Sequence, residues 1–256
     1  MEESTICLNC DSPASGNYCS NCGQKLRPTK LPLKVFLEDA FEAIFNVDNR
    51  VFKTLKTIFL EPGQITVDYL EGKRARYLPS TRLFMTSSVL YFIVVSVIDT
   101  TQFLFIDINM GDPELQRKFV DFLQYSMFLL APLLGLFLRW MYRKRDFYFV
   151  EGFVFSMHIH SIWFFFFGTY ASIEYIALQN ILPAPIEIFA WVIVYSCLVL
   201  AFVYLILSLK KVFSDSWFKT ISKSVFIIFL YGIAMSIIAL SYVLSTGILN
   251  GLQVSG

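Results

Sequence analysis

Charge is scarce in this chain. Lys, Arg, Asp and Glu make up 16% of its 256 residues, and the formal net charge is +1. A field that weak draws no polyanion, so no nucleic-acid partner is expected. Histidine occurs only twice, as His158 and His160, and glycine only 12 times. Glycine is too sparse between the apolar runs for a phosphate-cradling loop, and no nucleophile elbow or carboxylate pair appears. The reading therefore leans away from an enzyme without settling the question. The N-terminal stretch MEESTICLNC has no basic segment followed by an apolar core. No cleavable signal peptide is expected, and the first spanning helix is expected to act as its own insertion signal.

Apolar residues are what the chain has in excess. They reach 56% of the sequence, with 27 Phe, and the mean hydropathy is +0.59. A soluble protein of this length has too little interior to hide that much apolar surface. Five segments approach the roughly 20 residues that cross about 30 Å of hydrocarbon. They lie at about 81–98, 121–141, 149–173, 186–209 and 223–244. Pro132 is expected to kink the second, and Arg82 to reach from the first towards the interface. The expected fold is an all-α membrane protein: a five-helix transmembrane bundle over 79–256, with amphipathic interfacial helices over 31–78 and a small zinc ribbon over 1–30.

The ribbon rests on four of the five cysteines. Cys7, Cys10, Cys19 and Cys22 form two CxxC pairs eight residues apart. Each pair sets two thiolates on one tight turn, and two turns complete a tetrahedral site for one zinc ion. Four protein ligands leave no open position, so the expected Zn2+ is structural. Gly23 stands where a turn with positive φ is expected. Two disulfides are the competing reading, and they require an oxidising compartment. The fifth cysteine, Cys197, lies in an apolar run and reads as a packing residue.

Between ribbon and bundle, Leu33, Phe36, Leu37, Ala40, Phe41, Ile44 and Val47 recur at helical spacing, with Lys34, Glu38, Asp39 and Glu42 opposite. Asp48 can cap a second helix with the stripe Val51, Phe52, Leu55, Ile58 and Phe59, ended by Pro62-Gly63. A short third helix covers about 65–71. These segments are too charged to span and suit the membrane surface or the cytoplasmic face of the bundle. Lys73, Arg74, Arg76 and Arg82 form a basic collar suited to an anionic leaflet.

Charge alternates along the loops. The collar precedes the first span, and Asp99, Asp107, Asp112, Glu114 and Asp121 follow it. Arg143-Lys144-Arg145 follow the second span, Glu174 and Glu187 the third, and Lys210, Lys211, Lys219 and Lys223 the fourth. The positive-inside rule then places the N-terminus in the cytoplasm and the C-terminus outside. A cytoplasmic head keeps its thiols reduced, which favours zinc over disulfides.

The third span carries Glu151, His158 and His160. At 100° per residue Glu151 and His158 fall about 20° apart on one face, separated by ~10 Å along the axis, and His160 points nearly opposite. Ionisable groups at this depth mark an ion path or a polar site between helices, or they are neutral side chains bonded to neighbouring spans. Their spacing does not match a helical metal site.

Four stretches carry a resemblance: YCSNCGQ (18–24), FNVDNRVFKTLKTIFLEPGQ (45–64), YLEGKRARYLPSTRL (69–83) and VEGFVFSMHIHSIWF (150–164). Together they resemble an uncharacterised bacterial membrane family, domain-of-unknown-function family 3667. That resemblance implies a ribbon followed by several spans and no established activity. It also implies a histidine after the glutamate, where this chain has Gly152. The expected role is an interaction or regulatory module at the cytoplasmic membrane face, meeting the lipid bilayer and either a protein partner or a lipid headgroup through the ribbon and belt. The alternative is a small transporter or permease using Glu151 and His158, and, with less support, an intramembrane lipid-modifying enzyme.

Overall fold

A computed structural model describes residues 5–26, 32–36, 50–98, 102–103, 106–107, 112–145, 147–178 and 183–246. Most of the first belt helix, with Asp48 and Asp99, lies outside the described residues. The cysteine segment forms a two-stranded antiparallel hairpin, β1 (Thr5–Ile6) and β2 (Pro13–Ala14). Two belt helices follow, α1 (Val51–Leu60) and α2 (Gln64–Leu70). Arg50, with no side-chain cap, precedes α1.

Among the described residues five helices are long and apolar enough to cross a membrane. They are α3 (Ser80–Ile98), α4 (Pro113–Met141), α5 (Phe149–Leu178), α6 (Ala184–Phe213) and α7 (Trp217–Thr246). The count agrees with the sequence, but four helices are longer than their apolar runs. A 30-residue helix is about 45 Å long, so its ends stand beyond the hydrocarbon. Asp121 consequently lies within α4 and Glu174 within α5, where the charge pattern had placed loops. Asp112 caps α4 by accepting the Glu114 N–H at 2.9 Å, with Pro113 at the first helical position. Pro132 sits inside α4. A second small hairpin, β3 (Gln102–Phe103) and β4 (Ile106–Asp107), lies between α3 and α4 and packs against α4.

α5 is the centre of the bundle, packed against α3, α4 and α6. It is the most buried of the five spans, whereas α7 is strongly apolar and mostly exposed. That order suits lipid as solvent: the outer helices need only apolar surface, and polar groups collect where other helices can bond them. α4 approaches α5 closely at two glycines. A Cβ on Gly152 would stand 2.7 Å from the Gly135 carbonyl oxygen, and one on Gly135 would stand 3.0 Å from the Phe153 backbone. A histidine therefore has no room where the family resemblance implies one.

The belt docks on the bundle rather than lying free of it. Ile58, Ile65 and Tyr77 share a buried cluster with Leu134, Phe155, Ile159 and Leu205 from three spans. The Tyr204 hydroxyl donates to the Ile58 carbonyl at 2.7 Å. α1 and α2 thus pack against one end of the bundle.

Candidate functional site

The cysteine head is built on two equivalent turns. Asp11 N donates to the Cys7 carbonyl at 2.9 Å, and Gly23 N donates to the Cys19 carbonyl at 2.8 Å. Cys7 N then donates to Ser12 O, and Cys19 N to Gln24 O. The second turn thus repeats the first, twelve residues on, with Asp11 (φ 57) in the left-handed position held by Gly23 (φ 70). Asp tolerates that region better than most residues.

All four cysteines are free, and their sulfur atoms lie within 4.8 Å of one another. Cys7 and Cys22 approach to 3.6 Å, as do Cys10 and Cys19. A tetrahedral zinc with bonds near 2.3 Å needs sulfurs ~3.8 Å apart, so the donor set fits a metal ion of that kind. Burial pushes the Cys7 thiol up to about 11, while hydrogen bonds from the Ser12 side chain and backbone bring Cys10 down to about 6. A bound cation would hold all four as thiolates.

Gln24 ties this head to the belt. Its Nε2 donates to the Gly72 carbonyl at 2.8 Å, and its Oε1 accepts from Ala75 N at 3.0 Å. The Arg50 guanidinium donates to the Ala75 carbonyl at 2.8 Å, so head and α1 grip the same turn. The turn is fixed from below by Asp68, which is 1% exposed. Asp68 accepts from the Tyr77 hydroxyl at 2.8 Å, from Gln64 at 3.1 Å and from Arg76 at 3.4 Å, with Lys73 at 3.7 Å. Burial and the Asp68 carboxylate push the Tyr77 phenol up, keeping it a donor. Sequence reading did not single out Asp68, although a carboxylate on the apolar side of a short helix, followed by Lys73, Arg74 and Arg76, was the available signal.

The histidines are both buried but serve different elements. His158 is 4% exposed, and its Nδ1 lies 2.8 Å from the Thr66 hydroxyl of α2. His160 is fully buried. Its Nδ1 is 2.8 Å from the Ser156 carbonyl oxygen and its Nε2 is 3.1 Å from the Tyr231 hydroxyl. Ser156 in turn donates to the Ala131 carbonyl at 2.6 Å, and Tyr231 reaches the Leu130 carbonyl at 3.2 Å. These contacts knot α4, α5 and α7 beside Pro132. Glu151 is spent at the start of α5, where it accepts from Tyr148 N at 2.8 Å. The three sequence-selected groups are not brought together.

Two further polar features escaped the sequence reading. Glu174 is buried near the far end of α5 and accepts from the Tyr170 hydroxyl at 2.5 Å. Asp215, between α6 and α7, accepts from Arg145 and Lys223 at 2.7 Å each and joins the basic loops of the same end. Burial alone would raise the Asp215 carboxyl, but Lys223 and Arg145 outweigh it and hold the group below its usual range.

Five membrane-length helices carrying a four-cysteine head define an integral membrane protein with a candidate metal centre. Residues 48–92 match the family described as Protein of unknown function (DUF3667). The matched segment runs from the start of α1 through the Gly72–Ala75 turn into α3. No curated protein and no solved structure matches the chain.

Proposed function

We propose that the protein is a non-enzymatic inner-membrane protein of bacteria whose zinc-stabilised head and belt form an interaction or regulatory module at the cytoplasmic face. The observation that carries this reading is the Gln24 clamp on Gly72 and Ala75, which makes the head and the basic collar one unit. A ribbon of about 30 residues has no core of its own, so metal would set the position of Gln24 and through it the collar. The N-terminus and the bases at Arg143, Lys144, Arg145, Lys210 and Lys211 would face the cytoplasm, with the C-terminus outside. The partner would be a protein or a lipid headgroup meeting this surface.

The translocation alternative would need a polar route from Glu151 to His158. Glu151 bonds its own helix start and His158 bonds Thr66, with no hydrogen bond between the two. The module reading is therefore preferred.

Hydrogen exchange of the full chain in lipid nanodiscs tests it. Cys10→Ser should lose one equivalent of zinc and speed exchange across residues 72–76, and Gln24→Ala should speed exchange there with zinc retained. Unchanged exchange at 72–76 after zinc loss would sink the coupling and the module with it.

A further inference from the structure

At the N-terminus of α3 lies a cavity of about 150 Å³ that none of the foregoing contacts explains. Lys73, Arg74, Tyr69 and Tyr77 line it together with Ser80, Thr81 and His158. The helix begins there, because Leu83 N donates to the Pro79 carbonyl. The first-turn N–H groups of a helix have no intrahelical partner and present a partial positive charge. α3 is 19 residues long, enough for that charge to be fully developed at its end.

Two buried side chains in the wall point to a missing ligand. Ser80 is 4% exposed, and its hydroxyl makes no hydrogen bond among the described residues. His158 uses Nδ1 for Thr66 and has no hydrogen bond at Nε2 among the described residues. In the tautomer in which the Thr66 hydroxyl donates to Nδ1, Nε2 carries the ring proton and is a second donor. Buried polar groups are otherwise satisfied in folded proteins. Arg74 stacks on Tyr69 at 4.8 Å, and Glu71 holds Lys73 at 2.5 Å beside the opening. Across residues 68–82 four cations (Lys73, Arg74, Arg76, Arg82) face two carboxylates (Asp68, Glu71).

We propose that this cavity binds a phosphate group, with Lys73 and Arg74 as its cations and Ser80, the first turn of α3 and His158 as its neutral donors. The proposal rests on the reading of the collar as an interaction surface and names the chemistry it recognises. The volume corresponds to roughly five water molecules, well below the ~300 Å³ where drug-sized ligands begin. A phosphate group fits that space. The first spanning helix starts at the cavity, so the site opens at the depth of lipid headgroups. An anionic phospholipid is the source that position favours, and a free phosphate in the aqueous phase is the other source of the same chemistry.

The full chain in phosphatidylcholine nanodiscs, with and without phosphatidylglycerol, supplies one arm, read by native mass spectrometry of retained lipid. Calorimetric titration of inorganic phosphate into the phosphatidylcholine nanodiscs supplies the other. Ser80→Ala removes a hydroxyl that the fold does not use, so it tests the site without a folding penalty. It should weaken binding about tenfold, as for one lost hydrogen bond to a charged group. Lys73→Gln with Arg74→Gln should weaken it further, and Arg143→Gln, an exposed cation elsewhere, should leave it unchanged. This pattern with phosphatidylglycerol assigns a lipid headgroup, and with inorganic phosphate alone it assigns a soluble source; either supports the site. No binding in both arms, or equal binding by wild type and Ser80→Ala, overturns it. In that event an intact zinc-dependent change at residues 72–76 would leave the module reading standing.

Discussion

The Thr66 hydroxyl of α2 lies 2.8 Å from Nδ1 of His158 in the middle of α5, joining residues 92 apart in sequence. The bond puts a histidine of the central span at the floor of the belt rather than on an open path. Thr66→Ala would leave a buried ring nitrogen unsatisfied and should cost about 1–3 kcal/mol. Thr66→Ser should restore most of it. Thermal unfolding in detergent, comparing the two variants, checks this.

Gly152→Ala should destabilise the contact of α4 with α5, because its Cβ meets the Gly135 carbonyl at 2.7 Å. Overpacking of that kind costs roughly 1–3 kcal/mol. Gly232→Ala, with nothing within 4 Å of the added carbon, should be neutral or slightly stabilising. Equal melting of the two variants would contradict the close crossing.

The Asp215 clasp predicts an acid limb in stability. The folded carboxyl is held below its ordinary value by Lys223 and Arg145 against the pull of burial. Its contribution is fully present above the unfolded value near pH 3.9 and is lost as pH falls through the lower folded value. Asp215→Asn should cost about 1 kcal/mol at neutral pH and should flatten the acid limb. Melting temperatures of wild type and variant, followed from neutral pH downward, should converge at the acid end.

Metal removal should act first on the head and on the 72–76 turn that Gln24 clamps. A chelator at neutral pH should abolish protection of residues 5–26 while the five spans keep their unfolding transition, since the head's buried cluster consists of its cysteines and Ala14. Zinc analysis beside hydrogen exchange reads both effects. A simultaneous loss of bundle protection would show that the head is needed by the whole fold.

The spans and the cysteine pairs were legible because each is a local pattern: a run long enough for a bilayer, or a ligand spacing. Helix ends were less so. Asp121 and Glu174 look like loop residues to a charge count, yet helices of about 45 Å carry them beyond or beside the apolar run. The long-range pairings could not be read at all. Nothing near Gln24 announces that it will meet Gly72 and Ala75, and nothing near Thr66 announces His158. Glu151 and His158 do share a helical face by spacing, but the partner each finds is decided by what packs there. The anion cavity was half visible, since the basic collar stood out in the sequence while Ser80 and His158 join it only through the fold.

The unequal burial of the spans bears on how this chain can drift. α7 is among the most apolar segments, yet most of its side chains are exposed on the outside of the bundle, where lipid would accept Leu, Ile, Val or Phe with little preference. α5 is the most buried span, and most of its side chains have fixed neighbours. Neutral exchange should therefore accumulate fastest in α7 and slowest in α5. Oiliness alone would misplace α6, which is more apolar than α3 or α7 and yet more buried than either.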